Sequence, residues 1–294
     1  MFEIALLVLL SFIWGSSFTL IKVAVETVPP ATMVATRVAV AAILLVLFAR
    51  WRGLSLPKDA QTWRAFLVQG LLQSALPFTL INWGEEHIAS GLAGVLNATP
   101  PIFALLPLVT RRESVDRQKI AGVLLGIVGV IVVIGRDALW EAGSPPLAPI
   151  AVLGSSLCYA IAPIWGRRFA HLPATVTAAG AMSCAAILMV PAALAVDRPW
   201  TLSPTMGALA ALVVLSVVCT AFAMIIFFRL VRSLGALGTN SGSYLRAGFS
   251  VLLGILVLGE AFTWSTLVGM VLIILGSAAV NGQLGRARRN EARR

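Results

Sequence analysis

The chain is a succession of apolar runs, each about as long as a bilayer is thick. A run of ~20 largely apolar residues is enough to cross the hydrocarbon core as a helix. Only a helix or a closed barrel satisfies its own backbone there. Ten such runs follow one another, at about 3–25, 31–50, 64–83, 88–110, 118–135, 147–167, 174–196, 206–229, 235–258 and 264–283. The connections are short, with 51–61 and 136–146 among the longest, so almost no chain is left for a soluble domain. Hydrophobic residues make up 59% and charged residues 12% of the chain, against roughly 45–50% and 25% in soluble domains. An apolar excess of this size cannot be hidden in a soluble core, because the surface must be apolar too. Disordered chains, coiled coils and ordinary soluble enzymes are thereby excluded. The expected fold is an all-α membrane protein of ten transmembrane helices.

The net charge of +10 does not point to nucleic acid. The charges collect at the ends of apolar runs, and no basic face with interleaved aromatics is present. Lysines and arginines favour one set of alternate loops, together with the basic tail, by seventeen to three. The two left over, Arg37 and Arg246, lie within spans. Cytoplasmic loops carry the excess of positive charge, so both termini are expected in the cytoplasm of a cell whose inner membrane holds the protein. Glu85, Glu86, Asp137, Glu141, Asp197 and Glu260 then fall outside. The first run reads as a span rather than a cleaved signal. Only Phe2 and Glu3 lie between Met1 and it, and the following Glu26–Pro30 segment is no small-residue cleavage site. Cys158, Cys184 and Cys219 sit inside apolar runs without CxxC or metal-ligand spacing and read as small core residues. Nothing in the sequence calls for a metal or a cofactor, and there is no P-loop for ATP.

An internal repeat organises the runs. Glu113, Gly122, Gly129 and Gly135 recur as Glu260, Gly269, Gly276 and Gly282, each 147 residues later without a gap. Pro30-Ala31-Thr32 recurs as Pro173-Ala174-Thr175, each opening the second span of its half. The unit is five spans, giving halves at 1–140 and 147–285 and a basic cytoplasmic tail at 286–294. Five is odd, so the halves insert with opposite topology. The charges agree: the loop at Glu113 is rich in arginine and lysine, and its counterpart at Glu260 has neither. Two inverted five-helix repeats are an architecture of secondary transporters, in which one half rocks against the other around a central site.

Particular residues carry a resemblance. Trp14-Gly15-Ser16-Ser17-Phe18 with Lys22 and Arg37, Pro101-Ile102-Phe103-Ala104 with Glu113 and Gly122, and Leu258-Gly259-Glu260 with Gly269 and Gly276 together resemble the drug/metabolite transporter (DMT) superfamily, in its EamA-type branch. The resemblance spans the whole chain. It implies ten helices in two inverted halves and export of small metabolites, often amino acids; the aromatic amino acid exporters are the branch most resembled. One departure stands out. The second repeat lacks the usual mid-helix proline and reads Tyr244-Leu245-Arg246-Ala247-Gly248, which suggests a specialised site on the ninth span.

Polar groups at bilayer depth need partners or a task, and they nominate the site. Arg246 lies near the middle of its span, and Thr239, Ser243 and Ser250 share its helical face, with Asn240 and Tyr244 beside them. This stripe could hold a substrate carboxylate; alternatively Arg246 is structural and bonds helix carbonyls. In the fourth span Asn97, Thr99 and the pair Pro100-Pro101 predict a kink, which either lines the pathway or serves packing. The 147-residue offset carries Asn97 onto Tyr244, Gln73 onto Thr220 and Gln69 onto Ser216. Trp14 and Tyr159, each a third of the way into the first helix of its half, could stack on a flat substrate or simply pack. The other tryptophans mark span ends, as interface anchors do. Gly122, Gly126, Gly129, Gly269 and Gly276 form a small-residue stripe for close helix packing, or a dimer seam on an otherwise monomeric chain. Glu113 and Glu260 read as caps or loop contacts.

The function expected is export of a small-molecule substrate, an amino acid or related metabolite, across the lipid bilayer by alternating access. No aspartate or glutamate falls deep in a span and His87 and His171 lie at ends, so facilitated diffusion is expected. A proton-coupled efflux carrier is the alternative, with Glu85 or Glu86 as the groups that could titrate. A channel and a membrane-embedded enzyme are weaker rivals, and Arg246 argues against cationic cargo. The orientation has a direct check. Single cysteines placed beside Glu86 should react with an impermeant thiol reagent added to intact cells, and those beside Arg112 should not; the opposite pattern would reverse the topology.

Overall fold

The computed structural model describes residues 2–103, 117–140, 145–235, 239, 242–261 and 263–291. Its helices are α1 (Phe2–Val25), α2 (Pro30–Trp51), α3 (Ala60–Glu85), α4 (Ser90–Leu96), α5 (Pro100–Phe103), α6 (Arg117–Trp140), α7 (Leu147–Gly166), α8 (Ala174–Val196), α9 (Met206–Ser233), α10 (Gly242–Leu258) and α11 (Trp264–Glu291). Among the described residues all regular structure is helical. Among the described residues six helices are long and apolar enough to cross a membrane: α1, α2, α3, α7 with its extension to Phe169, α8 and α9. Shorter apolar helical stretches, Ile120–Val132, Gly242–Leu258 and Trp264–Gly276, fall on three further expected spans. The remaining one, expected at 88–110, is not one continuous helix. It divides into α4 and α5 around Asn97–Thr99, and its part beyond Phe103 lies outside the described residues. The outward surface is apolar over Ile43, Leu47, Leu124, Ile131, Ile187 and Val213, as lipid requires.

Local chemistry sets the helix ends. Pro29 adopts an extended backbone ahead of α2, and Pro30 takes a first-turn position where its missing N–H is harmless. Gly53, at φ +69°, lets the chain turn back after α2, and its amide donates to Arg50 O at 2.9 Å. Asp59 caps α3 by accepting from Thr62 N at 2.7 Å. Those hydrogen bonds from Thr62 hold its carboxyl below the ordinary aspartate range.

The helices pair reciprocally between halves. α2 packs against α8, and α6 against α11. The first pair is antiparallel: Asp197, just past the end of α8, accepts from Thr32 N at 2.6 Å and Thr32 Oγ1 at 2.9 Å at the start of α2. α1 packs on α10 and α9, while α7 packs on α5, α4 and α3. A widened π turn interrupts α3 at Leu71–Ala75 and α9 at Val217–Phe222, the segments that hold Gln73 and Thr220.

The glycine stripe is consumed inside the chain. A methyl group on Gly276 would lie 2.5 Å from Gly122 O and 2.6 Å from Gly126 N, and one on Gly129 would lie 2.8 Å from Ile273 N. Backbone meets backbone at the α6–α11 crossing, so this stripe is a packing surface. Gly276→Val should therefore destabilise the fold by about 1–3 kcal/mol through overpacking, read as a lowered melting temperature in detergent. An unchanged melting temperature would mean that the two helices do not touch there.

Candidate functional site

The site is built around the break between α4 and α5. Pro100 and Pro101 remove two amide donors, and the preceding residues leave the helix at Asn97 (φ −76°, ψ 5°). The carbonyls set free are taken up by side chains. Leu96 O accepts from Thr99 Oγ1 at 2.8 Å and Ser156 Oγ at 3.2 Å. Asn97 O accepts from Arg246 Nη2 at 2.8 Å. The Asn97 amide nitrogen donates to Ser155 Oγ at 2.8 Å and Ser156 Oγ at 3.4 Å. The break is thus fastened to α7 by serines and to α10 by an arginine.

Beside it lies a small cavity of about 30 Å³. Arg37 and Arg246 supply its charge, Trp14, Phe78 and Tyr159 its flat walls, and Gln73 and Asn97 its amides. Both arginines are buried. The Arg246 guanidinium carbon lies 5.8 Å from the Trp14 ring and 5.8 Å from the Tyr159 ring. That of Arg37 lies 4.2 Å over the Phe78 ring, and its Nε donates to Thr220 Oγ1 at 3.4 Å. Cations over aromatic faces are stabilised without a counter-anion, so the charges can wait in an apolar wall. The π turns contribute directly: Thr220 Oγ1 donates to Leu215 O at 2.7 Å, and Cys219 O accepts from the Trp14 indole N–H at 3.1 Å. Gly15 lets α1 approach α10, since a methyl there would stand 2.6 Å from Phe249 Cβ and 3.0 Å from Arg246 O. Three polar atoms around the cavity, Arg246 Nε, Gln73 Oε1 and Asn97 Oδ1, have no hydrogen-bond partner among the described residues. Buried polar groups are ordinarily paired, so this set of one donor and two acceptors is suited to a ligand.

Five of the residues singled out from the sequence share the cavity: Trp14, Gln73, Asn97, Tyr159 and Arg246. Thr99 is buried at the break, where its hydroxyl closes the turn, and Thr220 supports Arg37 from behind. Ser243 lines a smaller adjoining cleft with Ser11, Trp14 and Arg246, whereas Tyr244 is half-buried and lines neither space. Pro100 is buried and opens α5. Pro101 follows in the same turn; its side chain, like Asn240 and Glu113, lies outside the described residues. Arg37 and Phe78 are additions. Arg37 carried the same signal as Arg246, a charge within a span, and Phe78 carried none. In Arg246, Nη2 holds a backbone carbonyl and Nε has no hydrogen-bond partner among the described residues.

One expectation needs correction. The sequence places Glu85 outside, beyond the end of the third span, as one of two acids that could titrate, yet it is fully buried as the last residue of α3. The acidic pair Glu85–Glu86 ends the apolar run and reads as a loop; the helix extends as far as Glu85 and turns it inward, and Glu86, just past the helix, is exposed. Glu260 acts as a cap: its carboxylate accepts from Ser90 N at 2.6 Å and Gly91 N at 2.9 Å at the start of α4.

These features define a multi-pass helical membrane protein with a polar, aromatic-walled cavity at a helix break. The sequence matches the EamA-like transporter family over residues 1–135 and again over 146–282, and the chain belongs to that family. It is 28% identical to the uncharacterized inner membrane transporter YedA of Escherichia coli K12, over 94% of this chain and 89% of that protein. It is also 28% identical to a protein of Streptantibioticus cattleyicolor named a probable terminal-alkyne amino-acid exporter, over 96% and 94%. A protein of known crystal structure shares the fold with a TM-score of 0.68 at 18% identity, over 95% of this chain and 96% of its own. The chain is accordingly a membrane transporter.

The cap gives a stability prediction. Glu260→Ala leaves two amides of α4 without their charged acceptor and should cost about 1–2 kcal/mol, measured as a lower melting temperature. Equal melting temperatures would show the contact to be incidental.

Proposed function

We propose that the protein exports amino acids, aromatic ones among them, or similar small amphipathic metabolites by alternating access. The two family-matched segments act as inverted five-helix halves, 1–140 and 147–285, with both termini and the 286–294 tail in the cytoplasm. Reciprocal α2–α8 and α6–α11 pairing and the matching π turns support that symmetry. The observation that carries the reading is the cavity's charge: two buried arginines, aromatic walls and no carboxylate among its described lining residues. Such a site receives an anion. The free donor on Arg246 and a substrate carboxylate form a charge-assisted pair, the acceptors on Gln73 and Asn97 take an amine or hydroxyl donor, and Trp14, Phe78 and Tyr159 cover an apolar body. The name of the Streptantibioticus relative supports an amino-acid cargo. Facilitated diffusion needs nothing beyond this cavity, while the buried Glu85 favours the proton-coupled alternative.

The test separates binding from folding. Arg246→Ala should weaken substrate binding by one to two decades, the equivalent of about 1.5–3 kcal/mol for one charge-assisted contact. Arg246→Lys should recover part of this, keeping the charge but losing the fork. Affinity and melting temperature are measured on the same purified sample. Intact affinity with a large loss of stability would reduce Arg246 to a fastener of the α4–α5 break.

A further inference from the structure

Beyond the cavity, at the end of α3, sits a carboxyl group that takes no part in holding the substrate. Glu85 lies one helical turn after Ile81, which lines the cavity. It is fully buried, and neither of its carboxylate oxygens has a hydrogen-bond partner among the described residues. Lys22, one residue after the cavity-lining Ile21, is the nearest help, and it is turned to another use. Its ammonium donates to the backbone carbonyls of Glu85 at 2.7 Å and Ile88 at 3.0 Å, not to the carboxylate. The lysine thereby ties α1 across the end of α3 and the start of the α4 segment.

The groups around Glu85 come from each packed element. α1 contributes Lys22, α2 contributes Arg37, and the α10–α11 connection contributes Glu260. The Glu260 carboxylate is already held by Ser90 N and Gly91 N. The facing turns of α7, Leu147 to Ser156, and the whole of α4 have no ionisable side chain. On its own chain segment, Glu86 is exposed and His87 is half-buried, with Nδ1 3.0 Å from Trp83 O. An ionised carboxylate buried with no hydrogen bond and no ion pair is expensive, and such a group takes up a proton instead.

We infer that Glu85 is a proton-carrying residue, the one that couples substrate export to inward proton movement. The inference rests on the transporter reading above and adds its energy source. In the closed conformation the carboxyl is neutral. When the Lys22 tie opens, after the carboxyl has given up its proton on the other side, water reaches Glu85 from that side and the carboxylate is reprotonated from the outer medium. When the cavity opens the other way, the O–H bond breaks, the proton passes to cavity water, and the carboxylate left behind gains the Lys22 ammonium as partner. Glu85 is thus a proton-binding site at the gate, distinct from the arginine-lined substrate cavity.

Two measurements on the full chain test this. The first is independent of the substrate. Infrared spectra of the purified protein at neutral pH should contain a protonated-carboxyl band that Glu85→Gln removes and that Glu86→Gln and Glu85→Asp leave in place. A spectrum unchanged by Glu85→Gln means an ionised Glu85 and overturns the inference. The second uses proteoliposomes and a uniformly labelled mixture of the twenty amino acids. The wild type should accumulate label at least tenfold more with a pH gradient than without, and Glu85→Gln should lose this gain while keeping counterflow. Wild-type counterflow indifferent to the gradient overturns the inference. Absence of any counterflow would instead overturn the amino-acid cargo, leaving the infrared result to decide on Glu85.

Discussion

The contact on which the site depends is the hydrogen bond from the Arg246 guanidinium to the backbone carbonyl of Asn97, 2.8 Å long and buried. A membrane helix cannot simply stop within the bilayer, because every backbone group freed there needs a partner. Pro100 and Pro101 force such a stop. The price of the break is met by Thr99, by Ser155 and Ser156 on α7, and by Arg246 on α10. Those same residues bring α7, the α4–α5 segment and α10 to a common point. The cavity exists because the break is held open by side chains and not closed by backbone.

A second consequence concerns charge. Arg246 spends one nitrogen on structure and keeps Nε unpaired, while Arg37 lies against the Phe78 ring with Thr220 behind it. Two cations kept in an apolar wall by aromatic faces and single hydrogen bonds are poorly neutralised. An entering carboxylate gains more from them than it would from arginines already paired with acids. The ends of the cavity are managed differently. Where Glu85, Lys22 and Glu260 gather, opposite charges are available but arranged on backbone groups, so the closure can be undone without breaking an ion pair.

Much of the fold was legible because the bilayer enforces it. The length of each apolar run, Pro30 and Pro173 at helix starts, and the 147-residue repeat of Gly129 onto Gly276 follow from constraints that act along the sequence. At the α6–α11 crossing these glycines meet backbone atoms of the opposite helix. Arg246, Asn97, Gln73, Trp14 and Tyr159 were legible as polar or aromatic groups out of place in lipid. Other features were not. Nothing in the run Leu71–Ala75 announces a π turn, since it depends on what packs beside it. Phe78 resembles any lipid-facing phenylalanine until Arg37 is seen above it. The burial of Glu85 was not legible because two adjacent acids look like a loop, and which of them turns inward depends on what packs beside them, here α1 with Lys22 at the Glu85 carbonyl.

On the proposed reading, the cavity recognises its cargo by a carboxylate held between cationic side chains against aromatic walls. Competition against labelled L-phenylalanine in wild-type proteoliposomes addresses it most directly, using three unlabelled compounds of nearly equal size. L-Phenylalanine and 3-phenylpropionate keep the carboxylate, and phenylalanine methyl ester removes its charge and leaves a cation. The account predicts that the first two compete and that the ester does not, by a factor of ten or more in concentration. Competition by the ester equal to that of phenylalanine would contradict it, because the arginines would then have no part in selecting the substrate.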